Sequence, residues 1–584
     1  MSRGRARAAS YGAACVLLMA TLVAGQLSLI GHQLQTLQRL LAVVLAGLAV
    51  VYFAGPSLSS LAAAKVRQFD AWLSVRPSRA TTVLATFVVG YFCLWCAVSF
   101  ARHYLFHSSY DLGIMDQVAW NSSHGRPFAR SIEVNNDLGD HVRPYLTALG
   151  LLYTVVASPY VLLAFQHMVL ALAAVPLYRL ATRHLGSPAI GLLLAFCLLA
   201  YPPLGFVSRF DLHIEALSVP LLFLAWDRIE RRTLASASIF LTLTLLCKEN
   251  LGITVAAVGL FAALAFRLRT FGLAWSVAGV AYSLTALFVV IPAFRGEQSD
   301  TLTRYEWIGG SSTDIVSAAL AQPAVLVRKV IAMENVLTLL QSFAPLGFVP
   351  LAGWPALLPA APTYLYNFLA SSRMQSSIYA HYMVPVIPFV FIAALSAMRR
   401  FASAGGAGAS ADALRLDRAA AAAVVMTLAV IASWVYENPV TGNATVVLGR
   451  ATEIRPMEAA TGTAPIVPLV WPNDAAIREG LRHVPAAAGL LTTTYYAPHL
   501  SQRRWIEMLP KAPVASLDSR ADALFMNVRD QRSWTCNDYF EVVKVAALSG
   551  FGVEYEKQGV LVLRKGRADD GRLRAISDSW PGCT

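Results

Sequence analysis

Apolar runs of about 20 residues recur along the first three quarters of this 584-residue chain, each long enough to cross a bilayer as a helix. Only helices and closed barrels satisfy their backbone polar groups in lipid. The runs show no period-two alternation, so helices are expected. Only 14% of the residues are charged, against about 25% in soluble domains. The net charge of +13 gathers in short loops, as the positive-inside rule requires, and no nucleic-acid motif accompanies it.

Thirteen spans are predicted, near 13–31, 38–56, 81–101, 159–182, 187–205, 214–229, 234–248, 250–267, 272–292, 334–351, 354–370, 382–398 and 419–437. With the N-terminus inside, the basic loops around Lys65 to Arg79, Arg183, Arg228 to Arg232, Arg267 to Arg269 and Arg399 to Arg400 fall on one side. The odd count then puts the tail outside. Segment 144–157 is apolar but short and reads as a helix at the interface. The expected location is a bacterial inner (plasma) membrane, crossed many times, with a cytoplasmic N-terminus and an extracytoplasmic C-terminal domain.

Residues 1–80 form two N-terminal spans and a cytoplasmic loop, 81–437 a transmembrane domain with a first outer loop at 102–158, and 438–584 a small α/β domain. In that tail, Asn473 to Val484 and Tyr539 to Leu548 read as helices. Gly489 to Thr494, Ala523 to Val528 and Gly559 to Leu563 read as strands. Cys15, Cys93, Cys96, Cys197 and Cys247 lie in apolar runs as small hydrophobes. An outside tail would allow a disulfide between Cys536 and Cys583.

Five polar clusters map to the predicted outer face. The first loop opens with Asp111 and Asp116 and closes with Asp137, Asp140 and His141. Such carboxylates serve as a general base or hold a divalent metal, and equally cap helices. Arg209, Asp211, His213 and Glu215 crowd the next turn, where ionisable groups are costly unless a cavity receives them. Lys248 and Glu249 follow, as an ion pair or a phosphate-holding cation. Arg373, His381 and Tyr382 occupy a further turn, and Arg304 to Trp307 suit sugar stacking or an interfacial belt.

The stretches YDLGIMDQVAWNSSHGRPF, DHVRPYLTALGLLY, SRFDLHIEAL, CKENLG, SSIYAHYMVPVIPFVFIAAL and TTTYYAPHLSQRRWIEMLP resemble a bacterial and archaeal membrane family, domain of unknown function 2079, over roughly residues 81 to 565. That family is similar in layout to the GT-C glycosyltransferases, which include protein O-mannosyltransferases and lipid A aminoarabinose transferases. The resemblance implies an all-α polytopic GT-C-like fold of about 13 helices with a small C-terminal extracytoplasmic α/β domain. It implies transfer of a sugar from a polyprenyl-phosphate donor at the outer leaflet to a lipid, glycan or protein acceptor of the cell envelope, with membrane lipids as partners.

Asp111 then stands as the base, with Asp116 or Asp140 assisting and Lys248 or Arg373 on the donor phosphate. His141, Arg209, Asp211, His213, Glu215, Glu249, His381 and Tyr382 complete the expected binding set. Asp111 is followed by Leu112 and the loop holds no DxD, which leaves a Mg or Mn site unassigned. A transporter or flippase of a lipid-linked substrate is disfavoured by the scarcity of mid-span charges and the lack of an inverted repeat. A non-catalytic envelope assembly protein, binding through its tail, is the remaining alternative.

Overall fold

The computed structural model describes residues 60–578 except 298, 310–311, 404–408, 435–436, 441–469 and 569–570. The first two predicted spans and Cys583 lie outside these residues; Cys536 itself is disulfide-bonded. Among the described residues, four helices are long and apolar enough to cross a membrane: Ser78–Tyr104, Pro159–Leu185, Arg269–Arg295 and His381–Ala402. The last is 89% buried over its most apolar window and forms the centre of the helical body; Ser78–Tyr104 and Arg269–Arg295, at 28% and 22%, form its periphery. Exposed Val277, Leu284 and Val289 on Arg269–Arg295 suit a hydrocarbon solvent.

Predicted span 419–437 falls largely within the continuous helix Ala409–Ser433, and the other predicted spans among the described residues appear as shorter or broken helices. Pro188–Leu199 and Pro202–Arg209 bend by 46° at Pro202 and Pro203, whose missing amides cannot continue the ladder. The region predicted as two spans from 334 to 370 divides into Met333–Phe343, Val349–Ala352, Trp354–Ala360 and Ala361–Leu369. Pro345, Pro350, Pro355, Pro359 and Pro362 fall along it. The expected interfacial helix is two short turns, Pro144–Ala148 and Gly150–Tyr153. Leu234–Leu245 and Leu251–Ala265 are apolar but short. Leu251–Ala265 packs hard on Arg269–Arg295, where a Cβ at Gly252 would lie 2.4 Å from the Gly279 carbonyl oxygen.

The tail holds a five-stranded sheet: β1 Leu490–Thr492, β2 Ile506–Met508, β3 Ala523–Asn527, β4 Phe551–Lys557 and β5 Val560–Lys565, in the order β2-β1-β3-β5-β4. β2, β1 and β3 are parallel; β5 and β4 complete the sheet antiparallel. Helices Asp474–Arg482 and Cys536–Leu548 cover it; a Thr535/Asp538 capping box starts the second. The predicted strands and helices are present, and β2 and β4 are additional. One face of the sheet shares a core with the first loop: Phe106, Ile114 and Ile132 pack with Tyr496, Ala497, Phe525 and Val562.

Candidate functional site

Helix Tyr110–Ser123 carries the first acidic cluster. Ser109 caps it: its Oγ accepts from the Asp111 amide at 3.3 Å and donates to Asp111 Oδ2 at 3.0 Å. The Ser109 amide donates to Asp211 Oδ2 at 2.6 Å, tying the turn after Arg209 to the base of this helix. Burial raises the Asp211 carboxyl above its ordinary pKa, against the pull of Arg102.

Five turns end around one cavity of about 590 Å³. Asp111, Asp140, Asp211, Lys248 and His381 all line it, with His141, Arg209, His213 and Tyr382. Asp140 meets Arg130 Nη2 at 3.0 Å and His141 Nε2 at 3.6 Å. Burial opposes its charge, yet His141, Arg130 and Arg143 hold its carboxyl well below the usual range. Behind it, Asp137 is buried between Arg130 and Arg143, at 3.2 and 2.6 Å.

Arg209 sits at the end of the bent helix, 2% exposed. Its Nη1 donates to the Pro439 carbonyl at 3.4 Å, while Nε and Nη2 are buried without a partner. Arg102 lines the same cavity, its Nη2 donating to the His107 carbonyl at 3.1 Å. Arg304 reaches the rim, 5.3 Å above the Tyr382 ring.

Most of the remaining expected residues are held in contacts within the protein. Lys248 Nζ donates to Glu215 Oε1 at 2.6 Å, so its charge is already matched. Glu215 lies below the lining, 3.6 Å from His381 Nε2, and His381 stacks on His213 at 3.6 Å. Glu249 accepts from the Val142 amide at 2.9 Å and lies 2.9 Å from His141 Nδ1, pinning the first loop to the helical body. Arg373 is exposed and is not among the lining residues. Asp116 is fully buried away from the lining, accepting from Tyr153 Oη and Ser501 Oγ at 2.6 Å each and Gln502 Nε2 at 3.1 Å. Burial pushes its pKa up to about 6 against those three donors.

The DUF2079 family, described as a predicted membrane protein, matches residues 102–562. The chain belongs to that family. No curated protein matches it. Among solved structures, undecaprenyl phosphate-bound ArnT from Cupriavidus metallidurans is 13% identical, with a TM-score of 0.43, over 83% of this chain and 100% of that one. The apo oligosaccharyltransferase of Archaeoglobus fulgidus is 12% identical, with a TM-score of 0.37, over 80% and 73%.

The DUF2079 match begins at Arg102 and so takes in the whole first loop. Tail residues outside the expected site set also line the cavity, chiefly Tyr495, which falls in a stretch that resembles the family, and Lys511 and Trp534, which do not. They lie 384 to 423 residues beyond Asp111, and only the docking of the tail brings them near. Among the described residues no three His, Cys, Asp or Glu side chains converge as metal ligands.

Proposed function

We propose that this protein is a membrane glycosyltransferase that takes a sugar from a polyprenyl-phosphate carrier at the outer leaflet and passes it to a cell-envelope acceptor. One observation carries the reading: a single cavity holds the Asp111 and Asp140 carboxylates together with a buried Arg209 guanidinium that has two unused donors. A base and an anion clamp in one chamber are what transfer from a phosphate-linked donor needs.

In this reading Asp111 takes the proton of an acceptor hydroxyl. The acceptor oxygen bonds to the anomeric carbon as the bond from that carbon to the phosphate oxygen breaks. The electron pair leaves with the phosphate, and Arg209 and Arg102 stabilise the charge that develops there. Lys248, matched by Glu215, supports the floor and does not clamp the donor. Asp140, held ionised by its arginines, favours positive charge building on the sugar carbon. Tyr382 and Tyr110 offer rings against which a sugar stacks.

The test is transfer by purified full-length protein in lipid nanodiscs, supplied with a panel of polyprenyl-phosphate sugars and an envelope extract. Asp111→Asn is expected to lower turnover by about 100-fold or more, the scale of a lost general base, with donor binding retained. An active preparation in which that variant transfers at the wild-type rate would remove Asp111 from the role.

A further inference from the structure

The tail domain meets the cavity with one particular edge of its sheet. β2, β1 and β3 run parallel, and the tail residues lining the cavity lie at or beyond their carboxyl ends. Met508 ends β2 and Lys511 follows it, Thr494 and Tyr495 follow β1, and Ser533 and Trp534 follow β3. In open α/β sheets this carboxyl edge is where ligands bind. A mere cover has no reason to present it inward.

The two halves of the cavity also differ in charge. The first loop and the helical body contribute Asp111, Glu133, Asp140, Asp211 and Asp300 alongside their cations, whereas the tail contributes one ammonium and no carboxylate. That ammonium, on exposed Lys511, stands 5.5 Å from the Trp534 ring centroid; the Asp538 carboxylate, which accepts from the Ala512 amide at 2.8 Å, feels its charge, but among the described residues no salt bridge joins the two side chains, so the ammonium keeps its donors for a ligand. Trp534 is 6% exposed, and its Nε1 is buried without a partner. The Tyr495 ring is braced by Arg532, whose guanidinium carbon lies 3.5 Å from its centroid. Arg532 is itself fixed by Asp530 at 2.7 Å and the Phe106 carbonyl at 3.0 Å. A held aromatic ring loses little freedom when a sugar stacks on it.

We propose that this edge is a saccharide subsite selective for a sugar bearing a carboxylate or phosphate. Tyr495 and Trp534 take the apolar sugar faces, Thr494 and Ser533 take ring hydroxyls, and Lys511 takes the negative group. That the ligand is the acceptor rests on the transferase reading; that it binds does not.

The experiment uses full-length protein in nanodiscs with two probes, digalacturonic acid and the neutral disaccharide lactose, followed by saturation-transfer NMR titration. Binding of undecaprenyl phosphate is measured on the same preparation. Digalacturonic acid is expected to bind about tenfold more tightly than lactose, as one charge-assisted contact permits. Lys511→Gln should erase that preference, and Tyr495→Ala should weaken both probes about tenfold by loss of stacking. Because Lys511 is exposed, its variant tests the subsite without challenging the fold. No binding of either probe, or a preference that survives Lys511→Gln, overturns the subsite. Acid-sugar binding without polyprenyl-phosphate binding keeps the subsite and removes the transferase reading; the reverse removes the subsite alone.

Discussion

Arg209 is a buried cation with two idle donors, a costly state in the absence of ligand. Arg209→Met keeps the length and apolar stem while deleting the charge. The ligand-free protein should gain about 1–3 kcal/mol, the usual cost of an unsatisfied buried polar group, while binding of a polyprenyl phosphate weakens. Thermal unfolding and lipid binding, measured on one preparation, check this; a variant that loses stability along with binding would make Arg209 a structural residue. Asp116 titrates in the opposite sense to a salt-bridged carboxylate. Its pKa of about 6 lies above the roughly 3.9 of an unfolded Asp, so the folded state binds the proton more tightly. The stabilisation from this group is complete below about pH 4 and is lost as the pH rises through 6. Compared with Asp116→Asn, the wild type should therefore lose unfolding temperature between pH 4 and 6. Matching profiles would mean that burial does not hold the proton.

At the scale of elements, helix Tyr110–Ser123 does two jobs on two faces. Asp111 lines the cavity, while Gly113, Asp116 and Gln117 face the tail. Gln117 Nε2 donates to the Arg503 carbonyl at 3.1 Å, and a Cβ on Gly113 would meet the Ala497 backbone at 3.3 Å. Gly113→Val is expected to lift the tail, raising hydrogen exchange across 497–508 and lowering transfer, with helices such as His381–Ala402 undisturbed. Unchanged exchange there would show that the contact yields. The carboxylates of this helix were legible because they cluster in one short polar stretch. Their separation onto two faces was not, since 100° per residue puts Asp111 and Asp116 on different sides and nothing local says which side holds a cavity. The tail helices and three strands were legible from their apolar patterns. β2 was not, being the three residues Ile506–Met508, too short to show a period; nor was β4, whose inward face carries Phe551, Val553 and Tyr555 but whose end is charged.

For the whole molecule, the boundary at 438 drawn from sequence separates chain segments without separating cores. Phe106, Ile114 and Ile132 are at most 3% exposed because the tail covers them. Ser131 Oγ donates to the Ile506 carbonyl at 2.8 Å and accepts from its amide at 2.8 Å. Contacts bridging some 375 residues leave no periodic trace in a sequence, so the tail reads there as an appendage when it is one wall of the chamber. Removing it would expose those three side chains, at about 1.5–3 kcal/mol each for a large apolar group, and would also leave the buried Asp116 short of two of its donors. A chain ending at 440 should therefore insert its helices yet fail to order the loop at 102–158. Limited proteolysis of the truncated protein in nanodiscs should cut within that loop under conditions where the full chain resists, and Asp111 and Arg209, the proposed base and clamp, should no longer share one cavity. A loop that stays protected without the tail would mean that the helical body alone organises the site and that the tail joins it only as a ligand-binding module.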